Sequence, residues 1–126
     1  MVSVVELVDR IYRGPVVWGV SDCCTRACDV FAALHGVDPM APLRGHYGSE
    51  AEALALIRAR GGWRRMCNDL ADVAGLVRGR GDVGALALVR WSGSIALAVG
   101  VRGGWAAPDG SGSVIVPSAI ERWSHG

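Results

Sequence analysis

The chain has 126 residues, which fits one domain spanning residues 1–126 and leaves no room for two. About half of the residues are apolar, enough for a core at this length, and the formal net charge of +1 is too balanced for an electrostatic binder of nucleic acid. The longest apolar run, around residues 95–99, is far shorter than the roughly 20 residues of a spanning helix, and the first residues lack the pattern of a secretory signal. We therefore expect a single soluble domain that inserts into no membrane and binds no nucleic acid.

The first half of the chain is predicted to be helical, because apolar residues recur there at helical spacing. Ser21 or Asp22 can cap the second helix, and Gly36 can close it in the left-handed conformation. Ser49 and Glu52 have the spacing of a capping box at the start of the third helix. The predicted helices cover residues 3–12, 22–35, 50–60 and 67–76, with an ordered loop over 37–47.

The second half consists of short apolar runs separated by turns, which is typical of strands. The predicted strands cover residues 83–89, 94–101, 105–107 and 114–116. Pro117 and Glu121 have the pattern of a helix start, so a last helix is expected near the C-terminus. Helices first and antiparallel strands second predict an α+β domain, with the helices packed on a small antiparallel sheet or partial barrel.

Three of the four cysteines crowd into one short segment, which is poor geometry for a disulfide framework. Reduced thiols are the better interpretation. Cys24 and Cys28 share a helix face, but the paired Cys-x-x-Cys or histidine spacings of a structural zinc site are missing. We therefore expect neither a metal nor another cofactor.

Cys23 is the strongest candidate for a reactive residue, because it falls in the first turn of the predicted second helix. Unpaired backbone N–H groups and the helix dipole favour an anion there, which lowers the pKa of a thiol and makes a thiolate nucleophile available. The alternative is that Cys23, Cys24 and Cys28 are small apolar residues that pack a helix, and for a bare cysteine this is the commoner case.

Four short motifs follow one another in a recognisable order over residues 15–107. They are Trp18-Gly19 with Asp22-Cys23, Pro42-Leu43-Arg44-Gly45, Gly81-Asp82-Val83, and Ser94 to Gly100. This order resembles that of the NlpC-type, papain-like cysteine peptidases. The resemblance implies a papain-like fold, with Cys23 at the nucleophile position and Asp22 before it.

The resemblance fails at the catalytic histidine, whose position falls on Ser94, and we expect Ser94 to lie close to Cys23 across the groove between helix and sheet. Serine cannot act as the base that cysteine catalysis needs. His35 is expected at the far end of the helix that Cys23 opens, about 18 Å away. His46, on a loop, is a weak alternative base, and His125 lies next to the C-terminus. The sequence therefore favours an inactive peptidase fold.

Short proteins with this N-terminal motif and no strand histidine resemble a group encoded among the tail and baseplate genes of siphophages, prophages and gene transfer agents. This implies a structural protein of the tail tip or baseplate, located in the virion after synthesis in the host cytoplasm, with hub and distal tail proteins as partners. Two alternatives stay open. One is an active cell-wall cysteine peptidase or amidase that uses Cys23 to cleave peptidoglycan peptides during genome delivery, and the other is a non-catalytic module that binds cell-wall peptides.

The five tryptophans are many for a chain of this length. Trp18 is expected in the core beside Cys23. Trp91 falls in a predicted turn beside Arg90, and Trp123 falls in the predicted C-terminal helix. Trp and Arg are enriched at interface hot spots, so Trp91 and Trp123 are the predicted contacts with partner proteins.

Overall fold

The computed structural model describes residues 2–110 and 112–126. Within these residues the chain forms helices α1 (Val4–Ile11), α2 (Cys23–His35), α3 (Glu50–Ala59) and α4 (Trp63–Ala74), followed by strands β1 (Leu76–Arg78), β2 (Leu86–Trp91), β3 (Ser94–Val101), β4 (Gly104–Pro108), β5 (Ser113–Val116) and β6 (Glu121–His125). The α+β prediction is confirmed. None of the described helices is long and apolar enough to cross a membrane.

Helix α2, which was predicted over residues 22–35, is defined by strong signals at both ends. Asp22 accepts a hydrogen bond from the backbone N–H of Thr25, and Thr25 Oγ1 accepts one from the backbone N–H of Asp22, which makes a reciprocal capping box. Gly36 ends the helix in the left-handed region at φ 74°. Ser21, the other predicted cap, instead donates its hydroxyl to the carbonyl oxygen of Pro15 at 3.1 Å.

The strands form one open antiparallel sheet in the order β1-β6-β2-β3-β4-β5. Strands β1 and β6 were not predicted, and the helix expected after Pro117 is wrong, because residues 121–125 form β6. The helix-start pattern is a local signal, whereas β6 is held by long-range pairing with β1 on one side and β2 on the other. The pairing of Leu86 with Trp123 shows how far apart in sequence these partners lie.

Two element starts also differ from the prediction. Helix α4 begins at Trp63 rather than at residue 67, directly after Gly62, whose φ of 101° favours glycine. Strand β2 begins at Leu86 rather than at residue 83, because a turn precedes it in which the N–H of Ala85 donates to the carbonyl oxygen of Asp82 at 3.1 Å.

The sheet has two buried faces. Helix α2 packs on one of them, as predicted, and Ala27, Phe31 and Leu97 belong to the same core cluster. On the other face, small side chains such as Ala87 and Ala98 are buried in a separate core cluster. Because side chains alternate along a strand, residues 95, 97 and 99 of β3 point towards the helices, and residues 96 and 98 point away.

Candidate functional site

Cys23 is the first residue of α2, directly after the cap Asp22. Its pKa is lowered from the ordinary thiol value, first by a hydrogen bond with the thiol of Cys24, whose sulfur lies 3.9 Å away. The backbone N–H groups of Leu97, on β3, and of Cys24 lower the pKa further, whereas burial opposes them. The lowered pKa therefore comes first from the neighbouring thiol and only last from a backbone N–H of the helix start, on which the sequence argument relied.

Cys23 opens into a pocket of about 120 Å³ between α2, α3, α4 and the start of β3, which we call the Cys23 pocket. Its lining is mostly apolar and aromatic, and the polar side chains in it belong to Asp22, Glu50 and Ser94. The lining residues are Trp18, Asp22, Cys23, Cys24, Tyr47, Glu50, Ala53, Leu54, Leu56, Ile57, Trp63, Met66, Ser94 and Ile95.

Ser94 lines this pocket together with Cys23, but it is exposed at the beginning of β3. Ile95 also lines the pocket and packs against the core cluster of α2. By strand alternation Ser94 has the parity of Ala96, which faces the opposite cluster. The β3 side chain that faces α2 at this point is therefore apolar.

None of the three histidines lines the Cys23 pocket. His46 is exposed on its loop and lies outside the pocket, although its neighbour Tyr47 lines it. His35 and His125 stack on each other with ring centroids 5.0 Å apart. His35 also bonds through Nε2 to the carbonyl oxygen of Gly84 at 2.9 Å, at the far end of α2. No imidazole is therefore placed to act on Cys23.

Asp22 is buried and its carboxylate is fully engaged. Oδ1 accepts from the N–H of Thr25 at 2.9 Å, and Oδ2 accepts from the N–H of Gly19 at 2.8 Å and from the hydroxyl of Tyr47 at 2.7 Å. Its negative charge raises the pKa of Cys23, so Asp22 does not help to form the thiolate. Asp22 instead ties together α2 and the two loops that wall the pocket.

Tyr47 is a site residue that sequence reasoning missed. Burial, followed by the hydrogen bond to Asp22, raises the pKa of its hydroxyl above the usual range, so this group stays protonated as a donor. The sequence placed Tyr47 at the end of an ordered loop and singled out its neighbour, His46. Only the path of the loop shows which of the two turns inward.

Arg26, one turn after Cys23, is almost fully buried. It donates to the carbonyl oxygens of Tyr12, Gly14 and Pro15 at 3.0–3.1 Å, and its Nε has no partner. These carbonyls follow the C-terminal end of α1, where a positive charge is favourable. Arg26 thereby anchors the segment that leads to Trp18.

The other three cysteines line a second, apolar cavity of about 30 Å³, and Cys24 also lines the Cys23 pocket. Burial raises the pKa of Cys28 and, to about 12, that of Cys67, while the hydrogen bond with Cys23 and burial raise that of Cys24. These thiols stay protonated and pack as small apolar groups. Among the described residues, no cluster of His, Cys, Asp or Glu could hold a metal ion.

The structure assigns the tryptophans to core, pocket and surface differently from the prediction. Trp123 is 1 % exposed, lies in β6 rather than in a helix, and donates from Nε1 to Asn68 Oδ1 at 2.9 Å. It is a core residue, so its predicted role in partner contacts is wrong. Trp18 is half-buried as a wall of the Cys23 pocket rather than in the core. Trp91 is exposed, as predicted, but it is the last residue of β2 and pairs with Ser94 rather than lying within the turn.

The comparisons with known proteins identify a family but no activity. No curated protein and no solved structure matches the chain. A family model described as a domain of unknown function, DUF6950, matches residues 2–125. Since this match covers nearly the whole sequence, the chain belongs to the DUF6950 family.

Proposed function

We propose that the chain is an NlpC-type, papain-like domain that has lost hydrolysis and serves as a structural protein of a phage-type tail tip or baseplate. The support for this lineage is the combination of motif order and architecture. The Asp22-Cys23 pair opens a helix that packs on an antiparallel sheet, and the strand that begins at Ser94 forms the other wall of the groove.

The main observation in favour of lost hydrolysis is that the candidate nucleophile, Cys23, has no base beside it. The hydrogen bond with the Cys24 thiol, and then backbone N–H groups, favour the thiolate of Cys23, but no described histidine lines its pocket. Cleavage of an amide requires a group that protonates the leaving amine, and general acid–base assistance is typically worth about 10²–10⁴-fold in rate. A thiolate alone therefore leaves peptide bonds intact.

The structural role needs a contact surface, and the β2–β3 turn is the best candidate. Trp91 is exposed beside this turn, next to the exposed Arg90. An exposed tryptophan beside an arginine is typical of an interface hot spot. We place the contact with hub or distal tail proteins at this turn.

The loss of hydrolysis is tested with cross-linked muropeptides. We expect the wild-type protein and Cys23→Ala to give the same product profile as a blank without protein. Cleavage by the wild type that disappears in Cys23→Ala would show an active peptidase, and His46→Ala would then test whether His46 is the base.

The tail role is tested by incorporation of Trp91→Ala into tail particles. We expect the variant to fold normally and to be lost from tails or to abort their assembly. Val73→Ala, which removes an exposed apolar side chain outside the Cys23 pocket, is the matched control. Normal assembly of Trp91→Ala would remove this turn from the interface.

A second candidate function, binding of cell-wall peptides without cleavage, is favoured by the open, aromatic-lined Cys23 pocket. Trp18 and Trp63 both line it, so a bound peptide should change their fluorescence. Titration with soluble muropeptides tests this function. A saturable change that disappears in Trp63→Ala would support it, and no change up to millimolar concentration would exclude it.

A further inference from the structure

The Cys23 pocket combines a sulfur that favours the thiolate with a lining that contains no described histidine, and the hydroxyl of Tyr47 is already donated to Asp22. This combination favours one class of reaction. Expulsion of an amine needs a general acid, because an amide anion is too basic to leave. Expulsion of a thiolate does not, since a thiol has a pKa of about 8.5 and leaves as its anion near neutral pH. The groove is thus suited to exchange with thioesters rather than to cleavage of peptides.

The pocket also indicates what it can hold. Its side walls come from Trp63, Ile57, Leu54 and Ile95, so the sulfur faces an apolar space. The volume of about 120 Å³ compares with a cavity of about 150 Å³ that accommodates benzene, which is the size of a six-carbon group.

The charged residues of the lining, Asp22 and Glu50, are both acidic. Asp22 is occupied by its three hydrogen bonds, and Glu50 is exposed at the start of α3. An anionic group would therefore find no cationic partner among the lining side chains and would meet a like charge at Glu50.

We propose that Cys23 accepts a short, uncharged acyl group from a thioester and retains it as an S-acyl adduct in the Cys23 pocket. The Cys23 thiolate adds to the carbonyl carbon and forms the new carbon–sulfur bond. The carbon–sulfur bond of the donor breaks, and the donor thiolate leaves and takes a proton from water. No group is oxidised or reduced in this exchange.

The adduct accumulates because its hydrolysis would need a base to activate water, and no described histidine lines the pocket. This inference rests on the loss of hydrolysis in the proposed function, but not on the tail role. It assigns Cys23 a modification that anchors an apolar group inside the domain.

The test uses the full-length protein and the hexanoyl thioester of N-acetylcysteamine, an uncharged donor, at neutral pH. Intact-mass spectrometry and peptide mapping should find one acyl group, on Cys23, that persists after the donor is removed. Cys23→Ser should stay unmodified. Cys67→Ala, which removes a thiol outside the pocket, should react like the wild type.

Two comparisons test the specificity of the pocket. The adipoyl thioester has the same chain length with a terminal carboxylate and should react at least about tenfold more slowly, because burial of a charge without a partner is costly. Leu54→Asp should slow hexanoylation about tenfold more than it slows alkylation by the small reagent iodoacetamide, whose rate reports how far the new charge raises the pKa of the Cys23 thiol. Leu54→Asn, which has the same size without the charge, should retain more of the rate.

The outcomes separate this inference from the proposed function. Absence of an adduct on folded wild-type protein, an adduct that survives in Cys23→Ser, or equal rates with hexanoyl and adipoyl donors would overturn the acyl inference alone. Repeated release of free hexanoic acid would refute both this inference and the loss of hydrolysis. A stable adduct on Cys23 supports the inference whether or not the protein assembles into tails.

Discussion

Replacement of Ile95 by histidine should place an imidazole inside the Cys23 pocket, whereas replacement of Ser94 should place it at the exposed rim. Ile95 lines the Cys23 pocket and packs against the cluster of α2, while Ser94 is exposed with the opposite parity on β3. An imidazolium in the groove stabilises the thiolate of Cys23, so the pKa of the thiol falls. In Ser94→His the ring has access to solvent, and we expect the pKa of Cys23 to stay near its wild-type value.

The size of the effect follows from the charge pair. Two unit charges about 4 Å apart interact by about 4 kcal/mol at an effective dielectric constant of about 20. The pocket is open to solvent, so we expect about 1.5–3 kcal/mol, which lowers the pKa of Cys23 by about one to two pH units. The loss of the half-buried Ile95 side chain should cost about 1 kcal/mol of unfolding free energy, which a folded domain tolerates.

The assay is the rate of Cys23 alkylation by iodoacetamide as a function of pH, followed by mass spectrometry. In Ile95→His the rise in rate with pH should shift to lower pH relative to the wild type. A shift in Ser94→His without one in Ile95→His would refute the alternation argument and restore the alignment of Ser94 with the family histidine.

Three further predictions concern the fold and the thiol. Trp123→Ala should lower the free energy of unfolding by about 3–5 kcal/mol and the melting temperature by roughly 10–20 °C, while Trp91→Ala stays within about 1 kcal/mol; equal losses in thermal unfolding would contradict the core position of Trp123. Cys24→Ala removes the thiol that most lowers the pKa of the nucleophile, so alkylation at pH 7 should slow, and a faster reaction would refute that hydrogen bond. Gly100→Ala should lower the free energy of unfolding, measured in denaturant, by about 2 kcal/mol or more, because the new Cβ would clash with a backbone carbonyl in the β1–β2 connection. The control is Gly112→Ala, where a Cβ meets open space and the free energy of unfolding should change little.

The helices show how much local signals can predict. The cap at Asp22, the closing glycine at 36 and the cap at Ser49 each act within one turn, and all four ends of α2 and α3 lie within one residue of their predicted bounds. The same signals placed Cys23 at the helix start, which is the feature on which the chemistry of the site depends.

The errors come from interactions that no short window contains. Residues 121–125 have a helix-start pattern nearby, but β6 fills the space between two strands and its tryptophan completes the core. Ser94 was chosen by alignment of a motif, whereas the pleat of β3 gives Ile95 the inward position. Ser94 does line the Cys23 pocket together with Cys23. Alternation from the buried positions 97 and 99 additionally identifies Ile95 as the neighbour that faces the helices, and this could have been read from the sequence.

Neither motif alignment nor side-chain periodicity could have selected Tyr47 over His46. Both residues lie in one loop, and a polar aromatic residue at such a place has no periodic pattern to orient it. Its role follows from the path of residues 37–48, which brings its hydroxyl to Asp22. Long-range contacts of this kind emerge only when the loop has been packed against the helix start.

The hydrogen bonds that hold the helix start do not depend on the position where a catalytic histidine would lie. Asp22 is satisfied by Thr25, Gly19 and Tyr47, none of which belongs to the sheet. On β3, Ile95 packs against the core at a half-buried position where a polar ring would need partners of its own. Loss of the base in the proposed lineage would therefore leave the cap intact and improve the packing of the groove. A domain built in this way keeps a nucleophile geometry for reasons of stability, so the presence of Cys23 at its helix start is by itself no argument for hydrolysis.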